Sequence, residues 1–243
     1  MFGAIVMLPL YLQVVKGDTA TEAGLKLIPF MLGIVSTSIY SGKAITKHGY
    51  YKRFPIIGTA VMTVGILLMA TLNTTTPFWQ LSIYAILVGA GLGLSMQTIV
   101  IALQNSVDFK DMGVATSSNT FFRSLGSVFG TALFGAILSN RLGHYLIVGR
   151  EELAASNPTA ALSFNSSDIE KIKQNTSVIG QLPPEAQTTA LYAFVNSFQV
   201  VFLVAAPITT FGFLLALFLR ETPLRTNKDY AAAREESAGE AIG

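Results

Sequence analysis

The sequence contains no cysteine, one tryptophan, two histidines and few charges. Without cysteine there is no disulfide framework and no thiolate metal site, and the redox compartment is not readable. His48 and His144 are isolated and lie outside the apolar runs, so no histidine-based metal or cofactor pattern is present. Charged residues make up 12% of the 243 residues, about half the share of an average soluble domain. They are also unevenly spread. No charge occurs from Phe54 to Val107, and none from Ala186 to Leu219. The 14 acidic residues all fall between the apolar runs, at their ends or in the tail. No Ser/His, Asp/Asp or His/Glu constellation sits inside a run, which excludes an intramembrane enzyme. A net charge of +2, with basic residues gathered at the ends of runs, gives no reason to expect nucleic acid. Met1 leads straight into an apolar stretch with no basic region before it, unlike a secretory signal.

What remains is apolar and long. Hydrophobic residues are 51% of the chain, with a mean hydropathy of +0.53. Uncharged runs beyond roughly 18 residues read as transmembrane helices. Six spans are expected: Met1–Val15, 23–42, Phe54–Leu72, Phe78–Gln104, Val114–Leu138 and 193–219. The fold class is therefore an all-α integral membrane protein, a bundle of six transmembrane helices. Residues 1–139 hold the first five helices, 140–192 an exposed loop, 193–220 the sixth helix and 221–243 a charged tail. The loop is punctuated by Asn157-Pro158 and Pro183-Pro184, with one short amphipathic helix expected from Ser167. The first span is shorter than the roughly 20 residues a crossing needs. The chain is therefore expected to start inside a helix, as a piece lacking its amino-terminal part.

Several runs carry stripes at helical spacing. The second span has Gly33, Ser36, Thr37, Tyr40 and Ser41, and such small polar stripes face other helices or water rather than lipid. The fourth has Gly89, Gly93, Gln97 and Gln104 on one face, with Gly89 and Gly93 as packing positions. The fifth has a polar face of Thr116, Asn119, Arg123, Ser127 and Thr131 beside Gly126 and Gly130. These two glycine pairs are read as close-packing points, and the two helices as a shared seam. Gly91 lies off the stripe, so it is expected to matter less than Gly126 or Gly130. Arg123 is the one charge deep inside an apolar run. An intramembrane arginine is costly and asks for a partner or a purpose. It either snorkels along its own stem and pairs structurally, or contacts a ligand or gate. Its expected partners are a backbone carbonyl, Asn119, a glutamine or a group outside this chain.

Orientation follows from the short loops. The segment Gly42 to Arg53 carries Lys43, Lys47, Lys52 and Arg53, with Gly49 at a tight turn. Placing it in the cytoplasm puts nine basic residues inside and six outside, four of those six in one long loop where the rule weakens. The carboxyl terminus then lies in the cytoplasm, and 140–192 lies outside it.

Leu8-Pro9-Leu10-Tyr11-Leu12-Gln13, then Gly17, Gly24 and Pro29, resemble the opening of the later half of a major facilitator transporter of the fourteen-span drug:proton antiporter (EmrB/QacA-like) type. Gly42-Lys43, Lys47-His48-Gly49 and Lys52-Arg53 resemble the repeat copy of the superfamily's signature cytoplasmic loop, with Thr46 where an acid is usual. Gln104-Asn105-Ser106, Gly113-Val114-Ala115-Thr116-Ser117 and Phe121-Phe122-Arg123-Ser124-Leu125-Gly126 continue the likeness, which spans residues 2–222. The resemblance implies one six-helix half of a major facilitator fold in the plasma membrane. It implies proton-coupled efflux of drugs or other amphipathic small molecules by alternating access, with an amino-terminal half as partner. On that reading Tyr11, Gln13, Gln97, Gln104, Asn119 and Arg123 are candidates for the substrate cavity. The competing reading is a self-contained six-span protein that homodimerises through its glycine-rich faces without transport.

Proton coupling in membranes usually relies on buried acids or histidines. With none at depth, residues 1–243 reconstituted alone in proteoliposomes are expected to show no efflux driven by a pH gradient. Efflux driven by that gradient would overturn the expectation.

Overall fold

The computed structural model describes residues 2–158, 164, 166–174, 176–219, 221 and 223. The expected tail from 224 onward, with Arg225, Lys228 and Arg234, lies outside the described residues, as does Arg220. The described residues form helices and no strands. They are α1 (Phe2–Val15), α2 (Ala20–Leu25), α3 (Ile28–His48), α4 (Arg53–Met69), α5 (Phe78–Ser106), α6 (Met112–Ser156), α7 (Ser166–Gln174) and α8 (Pro184–Leu217), with short 3-10 turns at Phe109–Asp111 and Thr176–Gln181. Four stretches are long and apolar enough to cross a membrane: α2 with α3, α5, α6 and α8. The other two expected spans, α1 and α4, are helices of 14 and 17 residues.

The boundaries have local causes. The Thr19 hydroxyl accepts from the Glu22 N–H, and the Glu22 carboxylate accepts in return from the Thr19 N–H at 2.8 Å, a capping box that starts α2. Gly49 ends α3 in the left-handed region at φ 75°, its N–H bonded to the Ile45 carbonyl at 2.8 Å. The sequence reading placed Gly42, Lys43 and Lys47 in a loop. They stand instead in the last turns of α3, and only Gly49 to Lys52 connects α3 to α4.

α5 is the central element, packed on one side by α3 and on the other by α4. Its glycines make this possible. A Cβ on Gly89 would strike the Phe30 carbonyl, and one on Gly93 the Ile34 carbonyl and the Thr37 hydroxyl. On the α4 side, a Cβ on Gly91 would strike the Gly58 carbonyl and lie 2.6 Å from the Met62 nitrogen. With backbones this close, side chains of α3 reach α5 carbonyls: Thr37 donates to Ala90 at 3.0 Å and Ser38 to Gly93 at 3.1 Å. Such bonds contribute about 0.6 kcal/mol each on average in membrane proteins. The α3 stripe thus divides. Gly33, Thr37 and Ser41 turn to the packed side, while Ser36 and Tyr40 are exposed.

α6 and α5, expected to share a seam, touch each other little; α6 packs chiefly on α8, and α4 joins α8 to the α3–α5 pair. Gly126 and Gly130 have open space where a Cβ would stand. The expected order of sensitivity among the glycines is therefore reversed. α6 also runs 45 residues, about 67 Å at 1.5 Å per residue, against roughly 30 Å of bilayer core. Residues 140–156, expected in a loop, continue it as helix. Leu142, Leu146 and Leu153 are buried there with Phe164, Ile169, Ile172 and Ile179 against the start of α8. The described parts of the segment between the fifth and sixth spans thus form a packed helical cap.

Gly91→Leu or Gly89→Leu is expected to lower the thermal midpoint sharply, since overpacking costs about 1–3 kcal/mol even where side chains can yield and here the obstacle is backbone. Gly126→Leu is expected to shift it little. Melting curves of the detergent-solubilised variants check this ranking.

Candidate functional site

The first half of α6 is the least partnered part of the bundle. From Met112 to Leu133 no residue is buried, and burial begins at Phe134. One side carries exposed aromatics and aliphatics, including Phe122, Leu125 and Phe129. The other side carries Thr116, Asn119, Arg123 and Ser127, with Asn119 half-buried and Arg123 exposed. Among the described residues Arg123 makes neither ion pair nor hydrogen bond, so none of the partners expected from the sequence is found there. Beside this face, Gly126 and Gly130 line a cavity of about 140 Å³ with Met7 of α1, Ile66 of α4 and Val201 and Ala205 of α8. Its one hydroxyl, on Thr209, is already bonded to the Ala206 carbonyl at 3.0 Å.

The other candidates are scattered. Gln97 and Gln13 are exposed, on α5 and α1, and Gln104 is half-buried near the end of α5. Tyr11 is not on an open wall. It is 1% exposed, and its hydroxyl donates to the Asn73 carbonyl at 2.7 Å. Three consecutive carbonyls just past α4 are met in this way by three donors. Gln199 of α8 reaches Leu72 at 2.7 Å, Tyr11 reaches Asn73, and Lys16 reaches Thr74 at 2.8 Å. Carbonyls past a helix end lack helical partners, and in an apolar setting they need donors. This turn therefore ties α1, α4 and α8 together. Sequence reasoning missed it; the uncharged turn at Asn73–Pro77 and the single lysine after α1 were its only traces. Nearby, Lys26 pairs with Asp18 at 2.6 Å and stands 5.6 Å from the centre of the Phe78 ring. Burial lowers the Lys16 pKa, the Lys26 ammonium lowers it further, and Asp18 opposes them.

No group of three or more metal-binding side chains occurs among the described residues. The exposed face of α6 offers neutral hydrogen-bonding groups, aromatic surface and one guanidinium. Among these residues no nucleophile is paired with a base.

Comparison with known proteins finds similarity to membrane transporters. The Major Facilitator Superfamily pattern matches residues 1–145. An uncharacterised MFS-type transporter of Mycobacterium tuberculosis (strain H37Rv) is 39% identical over 95% of this chain, which spans 32% of that relative. A tetracycline resistance determinant of Streptomyces rimosus is 31% identical over 98% of the chain and 73% of the relative. The multidrug transporter protein MdtP of Bacillus subtilis is 31% identical over the whole chain and 47% of its own length. The chain thus spans about a third of the mycobacterial relative.

Tyr11→Phe is expected to lower stability by about 1 kcal/mol, the worth of one hydrogen bond, without changing ligand binding. A binding defect at unchanged melting temperature would return Tyr11 to the substrate wall.

Proposed function

The chain belongs to the major facilitator superfamily, and on that premise we propose that it is the carboxyl-terminal six-helix half of a fourteen-span efflux transporter. The observation that carries this reading is the first half of α6, an amphipathic stretch in which no residue is buried up to Leu133. A bilayer suits its aromatic side. Its polar side, with Asn119 and an unpaired Arg123, is costly against lipid and calls for water, substrate or a second bundle. Exposed Gln97 and Gln13 add neutral polar groups to the same kind of surface. Walls of aromatic and neutral polar groups suit loosely defined amphipathic compounds, in keeping with relatives named for multidrug transport and tetracycline resistance. The bundle works by alternating access against an amino-terminal half. Protons are handled by acids of that half, because all 14 acids of this chain lie outside the apolar runs. It sits in the plasma membrane with the α3–α4 turn and the carboxyl terminus in the cytoplasm, and the α6–α8 cap outside.

The homodimer reading is not favoured: relatives are named as transporters, and Gly89 and Gly93 are already taken by α3 within the bundle.

In the complete transporter, Arg123→Ala is expected to reduce drug efflux at least severalfold at normal expression. Arg123→Lys keeps part of it where charge alone is needed. Resistance unchanged in both variants would make Arg123 a snorkelling residue and remove α6 from the transport path.

A further inference from the structure

We propose that a second binding site, for organic cations, lies in the cap, in the cleft between the far end of α6 and the start of α8. The cleft has a volume of about 530 Å³, within the range of roughly 300–1,000 Å³ that takes drug-sized ligands. Its lining combines Tyr145, Glu152, Thr189, Tyr192 and Asn196 over an apolar floor of Leu153 and Ala193. Glu152, which already has an interaction of its own within the protein, is the one acidic side chain among the lining residues. A carboxylate set beside tyrosine rings matches a bulky organic cation, since ring faces attract positive charge and the carboxylate supplies the counter-charge. The same lining repels an organic anion of equal shape.

The walls are held in place. The two helices approach closely at Gly149, where an added Cβ would lie 2.6 Å from the Thr189 methyl group. Thr189 donates to the Glu185 carbonyl at 3.0 Å, and Asn157 ties the end of α6 to the Glu185 carboxylate at 2.8 Å. Beneath them Leu146, Ala186, Ala190 and Phe194 are buried. Tyr145 follows Arg123 by 22 residues, about 33 Å along the helix. The cleft is therefore distinct from the polar face of α6. It holds its cation whether or not that face carries export.

The test uses the purified full chain in detergent, with tetraphenylphosphonium as probe and tetraphenylborate as its anionic counterpart of equal shape. Because the chain has no cysteine, Asn196→Cys and Ser117→Cys report separately on the cleft and on the opposite end of α6 by maleimide labelling. Tetraphenylphosphonium is expected to slow labelling at Asn196→Cys at least threefold and to leave Ser117→Cys unchanged. Tetraphenylborate protects neither. Adding Glu152→Gln should weaken tetraphenylphosphonium three- to tenfold. Tyr192→Leu should weaken it similarly and Tyr192→Phe hardly at all, and these serve if Glu152→Gln fails to fold. Equal protection by the anion, equal protection at both cysteines, or binding indifferent to Glu152→Gln in a folded protein would each overturn the proposal. Failed efflux with this pattern intact would overturn only the export reading.

Discussion

Backbone contact between α5 and its two neighbours is the constraint on which the rest of the bundle depends. Inside lipid no hydrophobic force drives helices together, so association rests on close van der Waals packing and interhelical hydrogen bonds. α5 satisfies both by omitting side chains on two sides, at Gly89 and Gly93 toward α3 and at Gly91 toward α4. The Thr37 and Ser38 hydroxyls can reach α5 carbonyls only because the chains are that close. The turn past α4 extends the same economy, meeting its three exposed carbonyls with Gln199, Tyr11 and Lys16.

A bundle locked around α5 leaves α6 with a divided task. Its second half packs on α8 and, beyond the membrane thickness, builds the cap with α7. Its first half is little buried; Ser117 and Thr120 bond to their own helix, while Arg123 makes no hydrogen bond among the described residues. Rigidity and availability are thus assigned to different parts of one helix. Gly126 and Gly130 stand at the border between them, where α6 leaves a small apolar cavity rather than a tight joint.

Much of this was legible in the sequence, for identifiable reasons. Uncharged runs mark helices because a bilayer admits little else, so all six apolar segments and the amphipathic α7 were readable. The glycine face of α5 was readable in part. A stripe analysis follows one face, whereas a central helix has two, so Gly91 was passed over. The end of α6 was misplaced because Asn140, Arg141 and His144 look like loop residues. The spacing of Leu142, Leu146 and Leu153 could have signalled that the helix goes on, in water and against other helices. The burial of Tyr11 was not readable because its partner, a carbonyl 62 residues away, leaves no trace in local pattern. Arg123 stood out correctly as the single charge in its run, but its lack of a partner is visible only in three dimensions.

The central claim is that the first half of α6 presents a wetted polar face opposite a lipid-facing aromatic one. Single cysteines placed along Val114–Thr131 of the otherwise cysteine-free chain, labelled in native membranes with a water-soluble maleimide, test it most directly. The account predicts fast labelling at positions 116, 119, 123 and 127 and slow labelling at 122, 125 and 129, a helical period of accessibility. Uniform protection along the segment, or faster labelling on the aromatic side, would contradict it.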